Sequence, residues 1–528
     1  MPMRKTRFFL LGMMFVTTAH AQQQDEQPSP LEPFTNIGYK VEAQGSFSSG
    51  KTPLWLNANK FGLSSLESNN GYFRAAVERP LETDDERRWG IGYGLDLVAP
   101  FNYTSNLIVQ QAYVEGRWLH GSLSIGSKEY PMELRNQHVS SGVQTLGINA
   151  RPVPQVRLAL HDYWAIPGTK GWLSLKGHIA YGMLTDENWQ KDFAGPNGKH
   201  QQSVKYHSKA GYLKIGNEER FYPFSAELGL EMAGLFGGTA FVPQADGTMQ
   251  TLTGESGIKG MWHAFMPGGT DAGETLYTNA SGNTLGSWVA RLNWDEDTWR
   301  VSVYADKFFE DHSGLLQVDR DGYQAGENWE APSKRTLLIY DFKDWMLGAE
   351  FHFKYERPIQ SVVFEYLYSK YQSGPIYHDH TPNMADHIGG KDSYYDHYMY
   401  TGWTHWGQVI GHPLYMSPIY NDDGALELRS TRFIAFHFGA EGVINHNLTY
   451  RAMTTYQNSV GTYEKPFHKM KHNVSALAEV KYQFDEGWLD GWSVKGAFGM
   501  DACGLLGHNY GGQITVAKTG WLTKRVKK

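Results

Sequence analysis

Between residues 392 and 415 the chain interleaves aromatic rings with acids and imidazoles. Tyr394, Tyr395, Tyr398, Tyr400, Trp403, Trp406 and Tyr415 stand among Asp392, Asp396, His397, His405 and His412. No other stretch is as dense. Aromatic rings offer flat apolar faces to the C–H faces of sugar rings, while neighbouring polar groups bond the hydroxyls, so this mixture suits a glycan. Tyr394, Tyr395, Tyr398, Tyr400, Trp403, His405 and Trp406 are therefore the candidate polysaccharide-binding residues. The same rings equally suit a segment that folds over the mouth of its scaffold, and the two roles are compatible.

Other chemistry has less support. His378, His380 and His387 share this stretch with Asp379 and Asp386, but their spacing matches neither a helical H-E-x-x-H nor a Cys/His finger. Histidine is also common throughout, at 21 residues, so no metal and no other cofactor is expected. There is no G-x-S-x-G elbow. A Ser/His pair can be assembled from separate strands without a local motif, but no residue pattern points to one. The chain is read as a non-enzyme without catalytic residues.

The elements that must carry these residues read as strands. In Val474–Phe484, Val474, Ala476, Ala478, Val480, Tyr482 and Phe484 fall on one face and Ser475, Glu479, Lys481 and Gln483 on the other. One face suits lipid and the other water. Eleven such strands follow residue 203, near 203–215, 224–235, 285–294, 298–308, 345–353, 360–370, 429–440, 447–458, 471–484, 492–502 and 510–517. Most approach the 9–11 residues that a tilted membrane strand needs. Short connections alternate with long ones at about 236–284, 309–334 and 371–428. Short turns face the periplasm and long loops the outside in outer-membrane barrels, so the aromatic segment is expected outside and both termini inside.

Before residue 203 there are eight candidates, near 37–48, 71–79, 89–99, 107–119, 121–128, 142–150, 154–160 and 172–184. Parity demands an odd number. The weakest is 142–150, which leads into Arg151-Pro152-Val153-Pro154, since proline is poorly tolerated in a ladder. Removing it leaves about eighteen strands. The expected fold is all-β, a transmembrane antiparallel β-barrel over residues 37–528 with long extracellular loops. Inward-facing Glu227, Glu231, Arg300, Asp306, Glu350, His352, Lys354, Glu365, Arg451, Glu479, Lys481, Lys495 and Asp501 mix both signs, where a selective pore would show a ring of one. Ion pairs bracing or plugging the lumen are the expected result.

Composition agrees. Arg4, Lys5 and Arg7 precede an apolar run from Phe8 to about Val16 and then Ala19-His20-Ala21, a signal-peptide pattern over residues 1–21. Residues 22–36, rich in Gln and Pro, read as a flexible periplasmic leader. The chain carries 48 basic against 55 acidic residues, a net −7, and loses three basic residues with the signal to stand at −10. No nucleic-acid partner fits that charge. The mean hydropathy of −0.48 excludes helical spans but not a barrel with a polar lumen and loops. A soluble all-β protein is the competing architecture, because its strands carry a similar period.

Four segments resemble the Wzi-type capsule assembly proteins, particularly their Bacteroidetes branch: Pro53-Leu54-Trp55-Leu56-Asn57-Ala58-Asn59 with Phe61-Gly62-Leu63; Gly147-Ile148-Asn149-Ala150-Arg151-Pro152-Val153-Pro154; Asp306-Lys307-Phe308-Phe309-Glu310-Asp311; and Gly402-Trp403-Thr404-His405-Trp406-Gly407-Gln408-Val409-Ile410-Gly411-His412-Pro413. The resemblance implies an eighteen-stranded outer-membrane barrel with a closed lumen. It would act as a surface lectin that anchors capsular polysaccharide or exopolysaccharide. Its partners would be that polysaccharide, outer-membrane lipid and other capsule export components. A diffusion porin and, behind it, an outer-membrane hydrolase are the alternatives. The basic tail Lys524-Arg525-Val526-Lys527-Lys528 departs from the aromatic ending common in barrels and leaves the position of the last strand open.

Overall fold

The structure, a computed structural model, describes residues 32–523 except 85–87, 218–219, 221, 267–281, 311–317, 320–321, 324–325, 334–336, 339–342, 378–381 and 383–387. The expected signal peptide, most of the leader, the basic tail and the cluster His378, Asp379, His380, Asp386 and His387 lie outside the described residues.

Eighteen antiparallel strands form one closed sheet. They are Gly38–Ser49, Asn69–Arg79, Trp89–Phe101, Ile108–Trp118, Gly121–Ser127, Gln155–Ala165, Leu173–Met183, Lys205–Ile215 and Phe224–Phe236 in the first half. The second half supplies Asn283–Asp295, Trp299–Glu310, Trp345–Phe353, Ser361–Tyr368, Arg432–Asn445, Leu448–Gly461, Pro466–Gln483, Trp492–Ala502 and Asn509–Trp521. The last strand closes on the first with Gly38 opposite Trp521, so Trp521 provides the terminal aromatic and the ladder ends before the basic tail. The segment 142–150 forms no strand and runs through the lumen instead.

Every connection obeys the alternation of ends. Residues 50–68, 102–107, 128–154, 184–204, 237–282, 311–344, 369–431, 462–465 and 503–508 join strands at one end, and the opposite end has the termini and turns of two to nine residues. The outward faces are apolar, with Phe73, Leu95, Val114, Leu158, Leu228, Val303, Phe364 and Ile514 all well exposed. An exposed apolar band of this extent requires lipid and overturns the soluble alternative. Near the short-turn end Trp89 stacks on Trp118 at 5.9 Å and Trp172 meets Tyr222 at 5.7 Å, with Trp294 and Trp521 also exposed. These rings make the interfacial girdle.

The inward faces are largely polar, and part of the expected set forms ion pairs, while Glu365 and Asp501 are held by neutral hydrogen-bond donors. Arg451 and Lys495 share Glu479 at 3.1 and 3.5 Å, and Arg291 holds Glu350 at 2.7 Å. Lys354, expected inside, lies instead just beyond its strand, paired with Asp295 at 2.5 Å. The largest hydrophobic core of the molecule also lies inside the barrel. Leu235, Leu285, Phe308, Met346, Leu367, Phe433, Met453 and Leu477 of the wall pack against Trp55, Leu56, Tyr394, Tyr395, Tyr400, Trp403 and Tyr415. An eighteen-stranded barrel is too wide for its own side chains to fill, so chain from the connections occupies the space.

Candidate functional site in the barrel lumen

Three connections from the long-loop end fold inward to build the plug: 52–66, 129–154 and 392–431. The first carries a single helical turn, Leu54–Asn57. The Leu54 amide donates to the Asp501 carboxylate at 3.1 Å, and Trp55 donates its indole N–H to Thr455 Oγ1 at 3.1 Å. Asn59 Nδ2 donates to the Ser141 carbonyl at 3.0 Å, and the Phe61 amide to the Ile148 carbonyl at 2.7 Å. The second segment threads deepest. Asn136 reaches Glu350 at 3.1 Å, and the His138 carbonyl accepts from Arg451 at 2.8 Å, near the short-turn end.

The second and third segments cross with their backbones in contact. A Cβ on Gly147 would stand 2.7 Å from the carbonyl oxygens of both Ile410 and Gly411. Only glycine lets the chains pass so closely. Around the crossing, Asn149 Nδ2 donates to the Val409 carbonyl at 3.0 Å and Trp403 Nε1 to the Thr145 carbonyl at 3.0 Å. The Tyr395 hydroxyl donates to the Gln144 carbonyl and accepts the His412 amide at 3.0 Å. The four sequence segments singled out by resemblance therefore converge. Three form the plug, and the fourth is the wall it meets, where Asp306 accepts the Gln144 amide at 3.2 Å and Glu310 the Tyr395 amide at 3.1 Å.

The aromatic residues expected to face the outside divide into two groups. Tyr394, Tyr395, Tyr400, Trp403 and His405 are buried, which corrects the expectation that they are displayed on an outer loop. The reason is the unfilled lumen, which their rings enter. Trp403 stacks on Tyr206 of the wall at 5.6 Å, Tyr394 packs on Phe308 at 4.6 Å and bonds Asp344 at 2.9 Å, and Tyr400 donates to the Gly237 carbonyl at 3.1 Å. His405 bonds the Arg151 carbonyl through Nδ1 at 2.9 Å and accepts the Thr185 amide on Nε2 at 3.1 Å. Tyr398 and Trp406 reach solvent. Tyr398 donates to Gln250 at 2.9 Å.

Trp406 belongs to an outer aromatic group that sequence reasoning missed. Its ring lies 6.2 Å from Trp189, which stacks on Phe193 at 4.9 Å, and the Arg151 guanidinium sits 4.2 Å from its centroid. The half-buried rings sit on the helix Glu187–Ala194 and the plug, anchored where Asp186 accepts the Trp406 amide at 2.7 Å. A cavity of about 280 Å³ on the same outer side is lined by Tyr420, Asn421, Asp422, Asp423, Arg429, Phe467 and Lys471. A second, of about 570 Å³, opens near the short-turn end among Lys40, Arg74, Glu78, Asp96, Tyr113 and Glu129.

Ser141 and His412 form a buried pair, with Oγ 3.0 Å from Nε2. His412 Nδ1 accepts the Leu414 amide at 3.3 Å, so the ring proton resides on Nε2 and points at the serine. The Ser141 hydroxyl in turn donates to Glu365, which also receives Ser140 Oγ at 2.5 Å, the Ser141 amide at 2.7 Å and the Tyr304 hydroxyl at 2.6 Å. This order is opposite to that of a nucleophile relay, in which histidine accepts from serine and the acid orients the histidine. Burial pushes the His412 imidazole down to about 3, so it stays neutral. Among the described residues no group of three or more His, Cys, Asp or Glu side chains is arranged to hold a metal ion.

Fold and site together define a plugged transmembrane β-barrel. No family model and no curated protein matches the chain. Among solved structures it is similar to OccK2 (OpdF) of Pseudomonas aeruginosa, at 10% identity over 93% of this chain and 99% of that one, with a TM-score of 0.43. OprD of the same organism is 8% identical over 93% and 96%, TM-score 0.43. OccAB2 of Acinetobacter baumannii is 9% identical over 92% and 98%, TM-score 0.43. At these values the likeness does not bear on what this chain does, and the barrel assignment rests on its own strand pairing.

Proposed function

We propose that this chain is a closed outer-membrane barrel that acts as a surface lectin, holding capsular polysaccharide or exopolysaccharide on the cell alongside other capsule export components, as its resemblance to the Wzi-type proteins implies. The observation that carries this reading is the plug. Its three segments interlock with each other and the wall through a hydrophobic core, so the barrel offers a ligand its outer face. That face holds Trp406, Trp189, Phe193 and Tyr398 as stacking surfaces, beside a cavity rich in carboxylates and cations suited to sugar hydroxyls. In this reading the buried Tyr394, Tyr395, Tyr400, Trp403 and His405 serve binding by holding the plug in place.

The test is to replace Trp189, Trp406 and Tyr398 together with Ala and to compare cell-attached with shed polysaccharide. Polysaccharide should move to the medium while the barrel still shows its heat-dependent gel shift. Unchanged retention with a folded variant overturns the reading. A diffusion porin is the second reading, favoured by the charged cavity at the short-turn end. It requires stepwise conductance of the unmodified protein in a planar bilayer.

A further inference from the structure

The nine-residue helix Gly257–Phe265 rests on the outside of the barrel wall. Along the strand Lys205–Ile215, Tyr206 faces the plug, so His207 and Lys209 face away from the lumen. On an outward face of this barrel both should be bare, yet His207 is only 1% exposed, and Phe236, outward on its own strand, 2%. The helix covers them. Phe265 meets His207 at 6.1 Å, Gly260 faces Phe236, and the Tyr181 hydroxyl donates to the Met261 carbonyl at 3.0 Å. The Lys209 ammonium lies 4.8 Å from the Phe265 ring centroid and donates to the Phe265 carbonyl, placing a cation at the negative end of the helix. A lysine facing hydrocarbon is costly, and this contact removes the cost.

The opposite face of the helix is exposed and largely apolar, with the exposed Lys259 at its margin paired to Glu255 at 2.8 Å. Ile258 is 88% exposed, Trp262 60%, Met266 52% and Met261 37%. Beside it the wall shows Ile179 and Met183, and farther toward the girdle Leu228, all exposed and part of the lipid-facing band. Height can be judged from the girdle. Tyr181 follows girdle residue Trp172 along one strand, and nine residues at ~3.4 Å each, tilted by about 40°, rise about 23 Å, against an apolar band of about 25 Å. The helix therefore lies at the upper edge of the band.

We propose that Gly257–Phe265 is an interfacial helix docked outside the barrel, with Ile258, Met261, Trp262 and Met266 seated among the acyl chains of the outer leaflet. Lipid is the occupant because the exposed helix face continues the lipid-facing wall. The inference stands independently of the polysaccharide reading.

Spin labelling tests it. In a Cys503→Ser background, which removes the sole cysteine, a nitroxide is placed through Ile258→Cys or Trp262→Cys. Leu228→Cys provides the lipid reference and Asp422→Cys the aqueous one. The full-length protein is reconstituted in phosphatidylcholine bilayers, and power saturation compares collisions with oxygen and with a water-soluble nickel chelate. Positions 258 and 262 should favour oxygen, as position 228 does. A preference for nickel, as at 422, overturns the proposal by placing the helix in water. Protection from both reagents overturns it equally by showing that protein covers the face.

Discussion

Trp403, carried by the longest connection, stacks on Tyr206 of the barrel wall with ring centroids 5.6 Å apart and planes within 16°. One ring belongs to the plug and the other to a membrane strand, so this contact joins the two layers of the molecule. Trp403→Ala would remove a fully buried indole, a loss of about 3–5 kcal/mol in a packed core. The strands do not depend on it. The expected outcome is a barrel with a normal heat-dependent gel shift but a loosened plug, seen as fluctuating conductance in planar bilayers. A silent variant with the stability of the parent would contradict this role.

Gly147 and Gly411 determine whether the plug segments can cross. Gly147→Ala sets a methyl group 2.7 Å from two backbone carbonyl oxygens, so one segment must move. Overpacking of this kind costs about 1–3 kcal/mol. Protease added to reconstituted vesicles should cut within 392–431 roughly tenfold faster than in the parent. Equal cleavage rates would show that the crossing tolerates the methyl group.

Glu365 gathers donors from Ser140, Ser141 and Tyr304, tying the second plug segment to two strands. Glu365→Gln keeps the volume but turns an NH2 group toward those donors. Leaving them unpaired should cost about 1–3 kcal/mol and lower the temperature of the gel shift. A variant that melts with the parent would argue that the network is dispensable.

His412 makes the plug sensitive to acid. Its folded-state value is pushed down to about 3 by burial, against an ordinary 6.5. Between pH 6.5 and about 3 the unfolded segment therefore binds a proton that the folded one does not. Stability is complete above 6.5 and falls by about 1.4 kcal/mol per pH unit below it. Plug protection from protease, followed from pH 7 to 4, should decline in the parent and decline less steeply in His412→Gln. Identical slopes would assign the sensitivity to other groups.

The strands were legible from residue types alone because alternation is a local property. Each side chain contrasts with its immediate neighbours, and every one of the eighteen strands was located with boundaries off by at most five residues. Connection length is a less secure guide than alternation. Residues 102–107 form a short connection at the long-loop end, while 80–88 and 166–172 are longer turns at the other end. The plug left a weaker trace in apolar interruptions of the polar face: Leu235, Leu285, Phe308, Met346, Leu367, Phe433, Met453 and Leu477. Each looks unremarkable in its own strand, and their common meaning emerges only when the strands are set side by side.

By itself the sequence determined the class, a strand count near eighteen, the strand directions and the end from which the aromatic segment departs, since these follow from a two-residue period, parity and the prolines that exclude 142–150 from the ladder. Only the tertiary structure decided that Trp403 is interior while Trp406, three residues later, reaches the surface. A ring beside a barrel mouth can turn toward sugar or toward an empty lumen. The choice depends on a cavity enclosed by strands hundreds of residues apart and on Gly147, which lets the chain cross it.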